Sequence, residues 1–385
     1  MIRFSTNFPC GNGQLIYCDM TNGIQEIAFR AKTKFKEPQP NWFFFRVSDL
    51  SSDSLRFVFA NAEQCLDDFG VIGWKENKPV FKVPGGEWQR VPQVEVEMLP
   101  NRCYKVWFDV HVQSNEVEVA YCYPYGWKQL QDTLRECVGL QSDIIGYSHN
   151  GRPILRVSTG YGDESRTKKS IYLVARQHAA EVSGAWITDG IMRFLNSTEG
   201  QALTKDQIWW LVPIIDPDGV EEGAYGKDQI IGDFNRSWGA PFPNRVELHA
   251  VQHDMDHLAE FSTPGLFLDM HSPGNDRHGI ELLLKEDMNS REMSVAEYFC
   301  TSYNQFLKEA QMQEAVIKHT SSAHNTSAKT GMMGSVYAAT RAGIPAVTLE
   351  TSCWGPLGTD QTYTLEDYHR MGELIVRAVA KTLSK

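Results

Sequence analysis

Histidine nitrogen and carboxylate oxygen are both good zinc ligands, and His178 and Glu181 stand three places apart where the apolar run 171–174 gives out. At the mouth of a strand, that spacing lets both side chains turn toward one ion. A third ligand has to come from another segment. His271 fits, because 267–270 is again a mostly apolar run that ends in a histidine, followed by Ser272, Pro273 and Gly274 as turn residues. Two His and one Glu leave a position for water, which is a ligand set of catalytic rather than structural zinc. The first pair alone carries little weight, since a capped helix start reads the same way. His249, His253 and His257 recur at four-residue spacing and could in principle form a helical metal face, but 247–260 reads equally as a solvated amphipathic helix.

These residues need a scaffold that brings the ends of separate strands together. Runs at 154–157, 171–174, 208–215, 266–270, 280–284 and 346–350 include several that are nearly continuous in apolar residues, as expected for strands buried on both faces. They alternate with helical patterns at 183–196, 290–310 and 364–383, the last opening with Thr364 and Asp367 in capping-box spacing. The fold class this predicts is α/β, with a mixed, mostly parallel sheet flanked by helices. In such sheets ligands gather at the carboxyl ends of the strands, and His178, Asp216, His271 and Glu350 fall there. Earlier in the chain the pattern differs. Short aromatic and β-branched segments at 41–47, 55–59, 94–98, 105–110 and 117–121, separated by turns such as 84–86 and Pro100-Asn101, predict an antiparallel β-sandwich. The expected division is a β-sandwich domain over 1–128 and an α/β domain over 129–385. The aromatic residues of the first domain read as packed core rather than as a binding face.

With 385 residues the chain has room for two such domains, and its 42% hydrophobic and 22% charged content is that of an ordinary globular protein. A formal net charge of -11 argues against non-specific binding to nucleic acid or to an anionic membrane, both of which call for basic patches. The N-terminal stretch lacks the apolar centre of an export signal, and no unbroken apolar run is long enough to span a bilayer, so a soluble, cytoplasmic protein is expected. The eight cysteines are scattered without pairs at metal-ligand spacing, which reads as reduced, mostly buried thiols. The oligomeric state is left open.

Two further segments carry a resemblance. Ile214-Ile215-Asp216-Pro217-Asp218-Gly219-Val220 is followed by Gly232-Asp233-Phe234-Asn235-Arg236-Ser237-Trp238; His178-x-x-Glu181 precedes them, and His271 and then Glu350 come after. In that order they resemble the zinc metallocarboxypeptidase superfamily. The segment 145–154 is similar to the start of that family's catalytic domain, so the resemblance covers about 129–385. In the first domain, Asn41-Trp42-Phe43-Phe44-Phe45 and Ala120-Tyr121-Cys122-Tyr123-Pro124-Tyr125 resemble signatures of the cytosolic carboxypeptidase branch, which places a β-sandwich before the peptidase domain.

The resemblance implies a zinc ion (Zn2+) held by His178, Glu181 and His271, and hydrolysis of the C-terminal peptide bond of a peptide or protein tail. Within the branch the residues removed are acidic, chiefly glutamate. It implies that Glu350 is the general base for zinc-activated water. Asn235 and Arg236 would grip the free α-carboxylate, which a guanidinium beside an amide is well shaped to do. Asp233 would orient His178, with Asp269 and Asp218 as nearby alternatives. The sequence also departs from the family pattern. The arginine that often follows a Gly-x-Tyr step is Gly226 here, after Tyr225, and Lys227 one place along could substitute as a point charge unless another arginine enters from elsewhere. For a pocket that takes an acidic side chain, the candidates are Lys227, Arg277 and Lys329, with Tyr337 as a further lining residue. Two other readings compete: a zinc deacylase of N-acyl amino acids on the same scaffold, and a catalytically silent binding module.

Overall fold

The computed structural model describes residues 2–33, 41–62, 75–99, 104–162, 165–227, 232–241, 245–273, 279–321 and 331–384. Arg277, Lys329, Cys65, Cys103 and the turn at Pro100-Asn101 lie outside them.

Alternating aromatic and β-branched residues of the first part of the chain pair into two five-stranded sheets. The strands are β1 (Arg3–Ser5), β2 (Gln14–Thr21), β3 (Ile24–Arg30), β4 (Phe44–Ser48), β5 (Ser54–Phe59), β6 (Val80–Lys82), β7 (Gln89–Arg90), β8 (Glu95–Met98), β9 (Tyr104–His111) and β10 (Glu116–Ala120). One sheet runs β1-β4-β10-β6-β7 and the other β2-β3-β5-β9-β8. The pairing is antiparallel except between β3 and β5, which run parallel. The inward rings interlock across the gap: Phe45 lies 4.6 Å from Phe29 and 5.8 Å from Phe57, centroid to centroid. The aromatic residues are thus core, as their density implied.

The second part contributes α1 (Trp127–Glu136), β11 (Gln141–Tyr147), β12 (Pro153–Ser158), β13 (Lys169–Ala175), α2 (Val182–Asn196), α3 (Thr198–Leu203), β14 (Gln207–Val212), α4 (Pro217–Glu221), α5 (Val246–Phe261), β15 (Thr263–His271), β16 (Ile280–Lys285), α6 (Ser290–Glu309), β17 (Val316–Thr320), α7 (Gly334–Thr340), β18 (Ala346–Thr351) and α8 (Leu365–Leu383). The strands form one eight-stranded sheet in the order β11-β12-β14-β13-β15-β18-β16-β17. Its centre, β14 to β18, is parallel, and antiparallel pairs flank it. The strand expected over 208–215 stops at Val212, because Pro213 has no N–H for the ladder; beyond it Ile215 N rejoins Ala175 O at 3.1 Å.

Successive residues of the central strands face opposite layers. Ile171, Leu173 and Ala175 of β13 join the large core with α2, α6, α8 and the sandwich, while Tyr172 and Val174 join a second core under α5 and α7. Burial on both faces explains why these strands are nearly continuous in apolar residues. α2 and α8 cross at backbone contact. A Cβ on Gly190 would lie 2.5 Å from His369 Cα, and one on Gly372 would lie 2.3 Å from Ile187 O. Among the described residues, no helix is long and apolar enough to cross a membrane.

The two parts are tied together as well as packed. Trp186 Nε1 donates to Tyr123 O at 3.0 Å, Arg90 Nη2 to Cys353 O at 2.7 Å, and Asn12 Nδ2 to Gly223 O at 2.7 Å.

Candidate metal centre and active site

Strand ends build this site. Where β13 stops, the chain turns sharply at Arg176, whose φ of 60° lies in the left-handed region; a residue with a side chain enters it at a cost of roughly 1–3 kcal/mol. The buried guanidinium offsets that cost by donating to Ala179 O at 2.9 Å and to Tyr125 O at 2.6 Å. The turn so held delivers Gln177 and His178, and leaves Glu181 as the residue before α2. Glu181 does not cap that helix with its side chain; its carboxylate goes to the histidines.

From the neighbouring strands, β15 ends at His271 and β18 presents Glu350, and the two are register partners. Asp269 and His271, two apart on one strand, share a face.

The carboxylate of Glu181 lies between two imidazoles. His178 Nδ1 is 2.8 Å from its Oε1 and His271 Nδ1 is 2.7 Å from its Oε2, while Ser272 N donates to Oε2 at 3.1 Å. On the outer sides, His178 Nε2 is 3.0 Å from Asp233 Oδ1 and His271 Nε2 is 3.0 Å from Asp269 Oδ1. A carboxylate at Nε2 keeps the proton of a neutral imidazole there and leaves the Nδ1 lone pair facing inward, the form that a metal binds. The three ligand atoms lie within 4.8 Å of one another, and among the described residues this is the one such group able to share an ion. The donor set therefore fits zinc: two nitrogens and a carboxylate converge, and each ring is braced from behind.

Charge shapes the site further. Burial alone would lower both imidazoles, but Glu181 and Asp233 outweigh it at His178, and Asp269 and Glu181 outweigh it at His271, so both pKa values rise. At Glu181 burial pushes the carboxyl up, yet His178, His271 and Lys227 hold it well below the usual range. Asp233 is drawn to about 2, His178 overcoming its burial. Glu350 behaves differently. Burial raises its pKa above the ordinary glutamate value, and its Oε2 is enclosed with no hydrogen-bond partner among the described residues.

The other expected residues divide. Arg236 follows Asp233 through a short 3-10 turn, Phe234–Arg236, and is exposed; its Nη1 donates to Asn235 O at 2.8 Å, and no carboxylate among the described residues pairs with it. Asn235 is buried and turned inward, with Nδ2 3.1 Å from His271 Nε2 and Oδ1 accepting from Gly334 N at 2.9 Å. Lys227 reaches the cluster, its Nζ 3.5 Å from Glu181 Oε1. Tyr337 packs on Trp238, ring centroids 5.7 Å apart. Asp216 caps α4 by accepting from Gly219 N, and Asp218 binds Ser148 Oγ, Asn150 N and Arg152 Nη1. Of the histidines on α5, His253 and His257 are exposed, and His257 faces Glu260 at 3.3 Å.

Asp269 was weighed from sequence as a partner of His178, and the structure gives it to His271 instead. Gln177 was missed. Its Nε2 donates to Asp269 Oδ1 at 2.6 Å and its Oε1 accepts from Trp238 Nε1 at 2.7 Å. A charged residue two places before a candidate ligand, inside an otherwise apolar strand, was the available signal for Asp269.

Comparison with known proteins gives concordant matches. Residues 4–123 match the family described as cytosolic carboxypeptidase N-terminal domain, and residues 123–250 match the family described as zinc carboxypeptidase. The chain is 23% identical over 262 residues to cytosolic carboxypeptidase 2 of Danio rerio, covering 62% of this chain and 36% of that one. It is 30% identical over 265 residues to cytosolic carboxypeptidase 3 of Bos taurus, covering 62% and 26%. It thus spans well under half the length of both curated relatives. Among solved structures it is similar in fold to a metallo-carboxypeptidase from Burkholderia cenocepacia, with a TM-score of 0.83 at 19% identity over 100% of this chain and 99% of that one.

Proposed function

We propose, from the premise that this chain belongs to the zinc metallocarboxypeptidase superfamily, that it hydrolyses the C-terminal peptide bond of peptides or protein tails. The observation that carries this reading is the register of β15 with β18, which sets the buried, partnerless oxygen of Glu350 beside the His178, Glu181 and His271 cluster. A nucleophile-generating centre and a base are then adjacent.

His178, Glu181 and His271 would hold zinc, which when bound supplies Lewis acidity for water and for the scissile carbonyl. Asp233 and Asp269 keep the imidazole protons on Nε2. Glu350 takes the proton of the attacking water and passes it to the leaving amine, a task helped by the burial that raises its pKa above the ordinary glutamate value. Arg236 receives the substrate's α-carboxylate. Asn235 lines the same site, its Oδ1 accepting from Gly334 N and its Nδ2 lying 3.1 Å from His271 Nε2. In this reading residues 1–128 form the sandwich domain and 129–385 the catalytic one, and the protein works in the cytoplasm. Removal of glutamate in particular rests on the resemblance to the cytosolic branch.

A panel of peptides that differ only in the last residue, incubated with the zinc-loaded protein and read by mass spectrometry, tests the proposal. Loss of single residues from the C-terminus, fastest for glutamate, is expected. Hydrolysis of N-acylated amino acids with all peptides left intact would move the assignment to a deacylase. No turnover of any amide with zinc bound would leave a binding module.

A further inference from the structure

Scattered in sequence, two of the cysteines are brought together by the fold, at the seam between its halves. Cys122 follows β10, the last strand of the sandwich, and Cys353 follows β18, the strand of Glu350. The Cys122 thiol donates to Cys353 O at 3.2 Å, across a separation of 231 residues. On its other side, Cys353 Sγ is 3.4 Å from Ser272 Oγ, and Ser272 N is the donor that meets Glu181 Oε2 at 3.1 Å. The pair therefore stands between the sandwich and the backbone behind the metal cluster.

A guanidinium sits at the same spot. Arg90 Nη2, from β7, is 3.7 Å from Cys122 Sγ and donates to Cys353 O at 2.7 Å. Its Cζ lies 4.5 Å from the ring centroid of Tyr123 and 5.7 Å from that of Trp354. A fixed cation beside a thiol favours the thiolate, which is the nucleophilic form. Elsewhere burial dominates, pushing Cys10 up to about 11 and Cys300 up to about 12, as for inert core thiols. Cys353 moves the other way, drawn down to about 6, first by its hydrogen bond with Cys122. One sulfur is thus set to be oxidised and the other to resolve it. Burial also selects the oxidant. With Cys122 0% and Cys353 4% exposed, a bulky disulfide is shut out, and a small hydroperoxide such as hydrogen peroxide is the class that fits.

We propose that Cys122 and Cys353 form a redox site that a small hydroperoxide converts to a disulfide, and that this cross-link loosens the metal cluster through Ser272. The Cys353 thiolate attacks one oxygen of hydrogen peroxide, the O–O bond breaks, and the departing hydroxide takes up a proton as water. A sulfenic acid is left at Cys353. The Cys122 sulfur then attacks it: the S–S bond forms, the S–O bond breaks, and the hydroxide leaves as water with the Cys122 proton. Two electrons pass from the thiols to the peroxide. The new bond takes away the proton that Cys122 gave to Cys353 O and draws the Cys353 sulfur toward Cys122, away from Ser272.

The test uses the full zinc-loaded chain and needs no peptide turnover, so its outcome is separate from that of the peptidase reading. Protein treated with hydrogen peroxide, then denatured, alkylated and digested without reduction, should yield a linked Cys122–Cys353 peptide pair as its main oxidised product by mass spectrometry. In competition with a chelator, the oxidised protein should hold zinc about tenfold more weakly, the scale of a lost outer contact to a metal ligand, and dithiothreitol should restore the affinity. Cys122→Ser keeps a hydroxyl to donate to Cys353 O but cannot close the bond, so its oxidation should stop at a sulfenic acid that dimedone traps at Cys353. Peroxide that oxidises other cysteines and leaves Cys122 and Cys353 open to alkylation would overturn the site. A linked pair with unchanged zinc affinity would overturn its coupling to the metal cluster.

Discussion

A carboxylate set between two imidazoles within 3 Å of each makes a site in which every member depends on the others. Replacing His271 by Ala removes one nitrogen and leaves Asp269 without its ring partner, so zinc should fall from about one ion per chain to almost none after dialysis, by elemental analysis. The fold should persist, because the core is large enough to stand without metal. Full zinc occupancy in that variant would refute the ligand assignment. Glu350→Gln keeps shape and zinc but removes the base, and kcat should drop by a factor on the order of a hundred or more. Unchanged kcat would send the role elsewhere. At this scale the sequence was informative about placement: the structure brings His178, Glu181 and His271 together and sets Glu350 in register with His271. It was less informative where the outcome depended on packing. Asn235 and Arg236 read as one pair, and a short helical turn gives them different surroundings, Asn235 buried beside His271 and Arg236 exposed. No local pattern announces that divergence.

Strands buried on both faces could be read from their nearly continuous apolar runs, and long helices from their period and caps; α8 begins at the expected box, Thr364 Oγ1 accepting from Asp367 N. Two edge strands could not. β17 exposes Val316 and Ile317, and β2 exposes Ile16 and Met20, so neither shows the burial pattern that marks a strand. The helices in turn depend on polar contacts that periodicity does not reveal. Asp189, on the buried face of α2, accepts from Arg193 Nε at 2.6 Å, from Tyr125 Oη at 3.3 Å and from the Thr133 hydroxyl, and sits 3.2 Å from His369 of α8. Burial pushes its carboxyl up, but His369, Thr133 and Arg193 outweigh that and lower its pKa below 3.8. A depressed folded value means stabilisation that is complete above the unfolded pKa and lost as pH falls through the folded one. Asp189→Asn should therefore cost about 2–3 kcal/mol at pH 7, less than a fully buried pair because Arg193 also meets Glu136 at the surface. In urea titrations the gap between the wild type and this variant should narrow as pH falls below 3.8. A gap of constant size from pH 7 to 3 would show that the charge is not what matters.

Over the whole molecule, the sandwich and the α/β part share one core, and the sandwich touches the loop that carries Lys227. The two-part organisation was legible from the change of period near residue 127; the shared core was not, because contacts between distant segments leave no periodic trace. What most sharply separates a carboxypeptidase from any other zinc amidase is dependence on the substrate's own terminus. The deciding measurement compares one peptide as free acid and as C-terminal amide, each incubated with the zinc-loaded protein and with its Arg236→Ala variant, by mass spectrometry. The account predicts that the native protein removes the last residue from the free acid and leaves the amide intact. It also predicts that Arg236→Ala loses at least about tenfold in kcat/KM on the free acid, the worth of a charged, bidentate contact. Equal rates on acid and amide by the native protein would contradict it, whatever the zinc content.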